Sequence, residues 1–297
     1  MNEFAPQPEQ LEFARALTAL VESRNESGAA DASAGLWTEL ADMGFLGLCG
    51  DDGGGGPRDL VVAMEALGGV VCPGPIVATT AAALLLEGSQ LEELNAGRLR
   101  ATFTEGVHMP WFDSCSVLIE VQDGQAWLAA NPGQPTAVRT LSAEPWAVGS
   151  PTRGRQLPEP ARALTLFDLG VSAYLVGCAR RLIDQGAAHA QLRTQFGHVI
   201  GDFQAVAHPL AIALAQNNAS SQLVGLAAFE MEHGQCHPAR ARLVRAASTN
   251  AALSAAAAVH QAMGGLGFAV ETGVGVVSTR IRQWSLLPPV SRAFDLA

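Results

Sequence analysis

Two short strings in this chain combine residue types that could bind a phosphorylated ligand. The first is Arg193-Thr194-Gln195-Phe196-Gly197, followed a few residues later by Phe203-Gln204. The second is Gln261-Ala262-Met263-Gly264-Gly265, with Gly267 just beyond. A guanidinium clamps a pyrophosphate through two parallel hydrogen bonds, a geometry that a Lys ammonium does not offer. Phe196 adds an aromatic surface at the same place, and Gln204 can donate and accept at once. Gly264, Gly265 and Gly267 let backbone approach a phosphate or ribose closely. Each string also has a plain structural reading. Arg193 could be a cation complementing a helix C-terminus, and Gly264-Gly265 could be a simple helix terminator. Taken singly, either string favours the structural reading; the order in which they occur decides between the two.

The elements that must position these strings are long helices. One is expected over about 168–192, with Val171, Leu175, Cys178 and Leu182 on a single stripe. A second spans about 202–233, and a third runs over 238–263 with Pro238 in its first turn. A fourth covers part of 271–286 before Pro288-Pro289 breaks it. Four consecutive helices with short connections make a bundle. The N-terminal third is helical too. Leu11, Ala14, Leu17, Leu20 and Val21 keep helical spacing, as do Leu36, Leu40 and Met43, which Gly44 terminates. Gly53 to Gly56 could suggest a phosphate cradle, but no GK[ST] follows, and a surface turn is the better reading. Pro57 opens a further helix through Leu60, Val61, Met64 and Leu67; Pro73 and Pro75 end it, and another begins near Val77 and fades at Gly88. Between these blocks, residues 116–121 and 125–129 are expected as strands around the Asp123-Gly124 turn, in a small β or irregular module. The expected organisation is therefore mainly α: a helical domain over 1–100, a β module over 101–166 and a helical bundle over 167–297.

Composition narrows the function classes. The net charge is −10 and all 18 basic residues are Arg, which argues against nucleic acid as the main partner and removes Lys Schiff-base and P-loop chemistry. Hydrophobic residues make up 48%, yet no uninterrupted apolar run has bilayer length, so no membrane partner is expected. Residues 1–10 carry Glu, Pro and Gln where a signal peptide needs a basic end and an apolar core. The five cysteines are odd in number and widely spaced, as suits free thiols in a reducing cytoplasm. The seven His show no metal-ligand spacing, and no metal is expected.

In this order, between Ala-rich helices, the two strings resemble those of the acyl-CoA dehydrogenase family, whose C-terminal bundle carries RxQFG…FQ and later QxxGG. The segment Leu36-Trp37-Thr38-Glu39-Leu40-Ala41-Asp42-Met43-Gly44-Phe45-Leu46-Gly47-Leu48 before the Gly-rich turn, and Glu65-Ala66-Leu67-Gly68 before Pro73 and Pro75, extend the resemblance over about 35–100 and 165–287. It implies FAD as cofactor and an acyl-CoA substrate oxidised at Cα–Cβ. It also implies that Arg193, Gln195, Phe196, Gln204, Gln261, Ala262, Met263, Gly264 and Gly265 contact the adenosine diphosphate half of a flavin held mostly by a neighbouring subunit.

Two departures from the family pattern bear on catalysis. The middle module is roughly half the family's usual length; Thr104-Glu105-Gly106 is the nearest relic of its flavin-ring string, and nothing matches the second such string. The position of the family's catalytic Glu, counted from Gln261, falls at Pro288, which cannot be a base. A second family location for that base lies near Phe167-Asp168, where Asp168 is either a displaced base or an N-cap, the cap being favoured. Glu271 matches a polar family position that is not the base. Short subunits of this kind resemble those of heteromeric actinobacterial dehydrogenases of steroid side-chain breakdown, in which two related chains share flavin sites. The expectation is a flavin-binding subunit that lacks the catalytic Glu. Its alternatives are a self-sufficient homo-oligomer with Asp168 as base, or a flavin-free structural or ligand-binding subunit.

Overall fold

The computed structural model describes residues 5–26, 32–50, 53–131 and 133–291. Residues 1–4, part of the stretch weighed as a signal peptide, and Asp51 and Asp52 of the Gly-rich turn lie outside the described residues. Five helices come first: α1 (Pro8–Glu26), α2 (Ala32–Asp42), α3 (Pro57–Gly69), α4 (Ile76–Ala82) and α5 (Gly88–Asn95). Gly44, at φ 73°, ends α2 as expected: its N–H and that of Phe45 turn back to the carbonyls of Ala41 and Leu40. The helix expected to fade at Gly88 instead stops at Ala82, and Gly88, at φ 55°, opens α5. Its pattern of Leu91 and Leu94 among polar residues is too short to stand out in sequence.

Seven strands follow: β1 (Ala101–Thr104), β2 (His108–Pro110), β3 (Val117–Gln122), β4 (Gln125–Asn131), β5 (Thr136–Val138), β6 (Trp146–Val148) and β7 (Thr152–Leu157). They form one sheet in the order β1-β3-β4-β7, with only β1 and β3 parallel, and a second in the order β2-β6-β5. Asp123 and Gly124, both at positive φ, make the hairpin turn between β3 and β4. The sequence marks these two strands and misses the other five. Most of those are three or four residues long, and they owe their existence to partners far along the chain.

The bundle consists of α6 (Ala161–Leu192), α7 (Gln204–Glu232), α8 (Pro238–Met263) and α9 (Val274–Trp284), with a two-stranded ribbon of β8 (Thr194–Gln195) and β9 (His198–Val199) after α6. α6 begins seven residues before Asp168, after Pro160, so the reading of Asp168 as an N-cap is wrong. Pro158-Glu159-Pro160 pre-sets the entry, and Ala161 to Leu164 are good helix formers. By length and composition α6 could also cross a membrane, which the sequence reading excluded for every segment. However, 89% of its apolar window is buried within the protein, so it is a core helix. α3 and α6 cross with their backbones in contact. A Cβ on Gly68 would lie 2.0 Å from the Tyr174 carbonyl, and one on Gly177 would lie 1.9 Å from that of Glu65. The β module docks on α9 through buried polar groups. Trp284 Nε1 donates to Glu144 Oε1 (3.1 Å), Arg280 lies 3.1 Å from the same oxygen, and Trp284 stacks on Tyr174 with centroids 3.7 Å apart.

Candidate functional site

The two strings meet at one end of the bundle because of its up-down-up course. α6 arrives there at its C-terminus, α7 departs from there, and α8 returns to it. Just below this end the three helices touch: a Cβ on Gly186 would meet Leu210 and Val259. Arg193 is the residue after α6; its N–H bonds to His189 O (2.9 Å), and its carbonyl accepts from Ile200 N (2.7 Å). These bonds fix the root of the ribbon. The ribbon turns at Phe196 and Gly197, at φ 53° and 82°, a tight hairpin of left-handed residues. Phe196 is thrust outward and is 92% exposed, with Phe203 edge-on beneath it at 6.3 Å. The Arg193 side chain is exposed and has no carboxylate partner among the described residues. Gln195 is exposed as well, its amide donating to Thr194 O, and Gln204 is exposed at the first position of α7.

Gln261 is exposed near the end of α8, while Ala262 and Met263 pack partly against the core. Gly264 ends the helix at φ 56°, and a Cβ on either Gly264 or Gly265 would meet nothing, so both backbones face open space. Gly267 differs: a Cβ there would lie 2.9 Å from His260 Nδ1. His260 is itself held by Ser278 Oγ at 2.9 Å and by the Phe268 ring at 4.7 Å. Three large apolar side chains that the sequence reading did not select, Leu192, Phe268 and Val270, are also highly exposed at this end. Exposed apolar side chains gathered around polar groups mark an interaction surface. They escaped notice because each lies just outside a quoted string, in a segment without periodicity.

Asp168 lies far from this surface. It is fully buried on α6, and burial pushes its carboxyl up from the ordinary aspartate value, opposed by Arg245 and by hydrogen bonds. Its Oδ2 accepts from the N–H and hydroxyl of Ser291, its Oδ1 from Val290 N at 3.3 Å, and Arg245 Nη1 stands 4.0 Å away. Arg245 on α8, which burial lowers to about 10, donates Nη2 to the carbonyls of Trp284 and Leu287, both at 3.0 Å. The pair thus ties down both sides of the turn that carries Pro288. Arg245 was legible in principle, as a lone cation on the Ala241, Val244, Ser248 and Ala252 stripe of α8.

All five cysteines are unpaired. Burial pushes Cys49, Cys72, Cys115 and Cys178 up to about 12, so these thiols are poor nucleophiles. Among the described residues no three His, Cys, Asp or Glu side chains are grouped as a metal site requires.

The family model for the acyl-CoA dehydrogenase C-terminal domain matches residues 161–286, which take in both strings. Acyl-CoA dehydrogenase IpdE2 of Mycobacterium tuberculosis is 29% identical over 233 residues, covering 72% of this chain and 68% of the relative. The ChsE4-ChsE5 complex from Mycobacterium tuberculosis has the same fold, with a TM-score of 0.81 at 17% identity over 95% of this chain and 93% of that one. So does the Tcur3481-Tcur3483 steroid ACAD, with a TM-score of 0.79 at 21% identity over 96% and 93%. The stretch that carries both strings thus matches an acyl-CoA dehydrogenase C-terminal domain, and the chain has the acyl-CoA dehydrogenase fold over nearly its whole length.

Proposed function

We propose that the chain is a non-catalytic subunit of an acyl-CoA dehydrogenase and offers the adenosine-diphosphate-binding half of a flavin site completed by a related partner chain. The observation that carries this reading is the exposed end of the bundle. Arg193, Gln195, Phe196 and Gln204 lie at the same end of the bundle as the open backbones of Gly264 and Gly265, and all of them are exposed among the described residues. These groups fit a nucleotide diphosphate. The guanidinium has no competing carboxylate among the described residues, the Gly backbones admit close approach, and the N-terminus of α7 favours an anion. FAD, when bound, supplies the two-electron acceptor for Cα–Cβ oxidation. In this reading Arg193 holds the pyrophosphate, Phe196 and the exposed apolar residues seat the partner, and Gln204 and Gln261 fix the orientation of the nucleotide.

The catalytic base belongs to the partner. Pro288 has no titratable group, and Asp168 is enclosed by Ser291, Val290 and Arg245, so it cannot reach a substrate without opening the core. This geometry disfavours a self-sufficient homo-oligomer with Asp168 as base. The two-chain dehydrogenases among the structural neighbours support a heteromeric assembly, and the steroid ACAD among them supports a steroid side-chain acyl-CoA as substrate class. Co-purification with a related catalytic chain tests the reading. The expected result is a complex with flavin absorbance and acyl-CoA-dependent dye reduction. A flavin-free homodimer that ignores every related chain would refute it.

A further inference from the structure

A recess outside the two regions described so far lies midway along α6, under α1. It is a groove of about 610 Å³, within the range of small-molecule sites. Ala14 of α1, Val62 and Ala66 of α3, Val70 just after it and Gly177 of α6 form its apolar walls. Two carboxyls interrupt them: Asp184 of α6, and Glu65 on α3, whose Oε2 accepts from the Ser221 hydroxyl of α7 at 3.0 Å. Its other oxygen, Oε1, accepts no hydrogen bond among the described residues. The cations of the lining are already engaged, Arg180 with Asp184 and Arg181 with the Gly69 carbonyl. Asp184 precedes Arg193 by nine residues, about 13 Å along the helix, so the groove is separate from the flavin-facing end.

We infer that this groove is a binding site for a small amphipathic molecule, an apolar body carrying one hydroxyl that donates to Glu65 Oε1. A ligand carboxylate would set like charges together beside Glu65. An ammonium would have to shed its hydration in an apolar groove, at a cost of several kcal/mol. A neutral hydroxyl loses least on leaving water and satisfies the idle acceptor. Burial also raises the proton affinity of Glu65, which lets it exchange hydrogen bonds with a hydroxyl in either direction. The inference is independent of the flavin reading, since none of the groove's lining belongs to the exposed end.

Calorimetric titration of the full-length chain with 4-hexylphenol and with its methyl ether tests it. The phenol should bind saturably and at least tenfold tighter than the ether. Glu65→Leu should erase that preference, Glu65→Gln should keep most of it, and Ala66→Phe, which fills the groove, should weaken both ligands. Should Glu65→Leu fail to fold by circular dichroism, the phenol–ether comparison on the unaltered chain decides alone. Equal affinity for phenol and ether, or no saturable binding, overturns the inference. So does binding that appears only after residues 1–4 are deleted, which would assign the groove to that segment.

Discussion

The two ends of α6 are built from the same helix and have opposite fates. At its C-terminus Arg193 stands in the open, its guanidinium without a carboxylate partner among the described residues and Phe196 projecting beyond it. Some 25 residues earlier, about 37 Å along the axis, Asp168 is sealed, its carboxylate fully occupied by the 290–291 backbone, Ser291 and Arg245. In a self-sufficient flavoenzyme of this family both the cofactor-binding end and the base-bearing turn serve the reaction. Here the first is open, while the turn carrying Pro288 is tied to the core at its flanks by Asp168 and Arg245. The surroundings of a charged side chain therefore limit what it can do: Arg193, exposed and without a carboxylate partner among the described residues, is free to meet a ligand, whereas Asp168 is enclosed by four groups.

The largest expected effect is at the sealed end. Asp168→Ala strands Arg245 in the core and should cost about 3–5 kcal/mol of stability, read from the midpoint of urea unfolding. Replacing both partners, Asp168→Leu with Arg245→Met, should cost less than either single change. A loss below about 1 kcal/mol in Asp168→Ala would mean that the pair does not hold the Pro288 turn. The open end should behave inversely. Arg193→Ala should leave the unfolding midpoint unchanged while weakening flavin retention by the assembled complex about tenfold to a hundredfold, the scale of one charge-assisted hydrogen bond. Full flavin occupancy in that variant would remove the contrast.

Phe196→Ser should lower the affinity of the chain for its partner about tenfold, the scale of one buried aromatic anchor at an interface. Sedimentation of the mixed chains would show it, and unchanged association would place the contact elsewhere. The smallest effect concerns Glu65, between the two ends. Burial holds its carboxyl above the ordinary 4.5, so its contribution to stability is full below that value and is lost as pH rises through the folded value. Relative to Glu65→Gln, the wild-type chain should lose stability as pH is raised from about 4.5 toward neutrality. Parallel stability curves for the two would show that Glu65 titrates as an ordinary surface carboxyl.

The long helices were legible because their apolar stripes repeat over many turns, and the terminators Gly44 and Gly264 show themselves without any partner. The short strands of the β module could not be read in the same way. β2, β5 and β6 have three residues each and exist through pairings across as many as forty positions. The start of α6 was misplaced because Asp168 looks like a cap in one dimension, while Pro160 is the true entry. The cavity under α1 left no trace in the sequence, since its walls come from four helices.

The sequence by itself determined the bundle and the order of the two strings that carry the family resemblance, because helix periodicity and Gly or Pro punctuation act within a few residues. It also determined that Pro288 cannot take a proton. Tertiary structure alone decided which charged groups are free to act. Whether Asp168 is a cap, a base or an anchor depends on Arg245 and Ser291, which lie 77 and 123 positions away in the chain. Burial and pairing are properties of the packed molecule, and no local pattern encodes them.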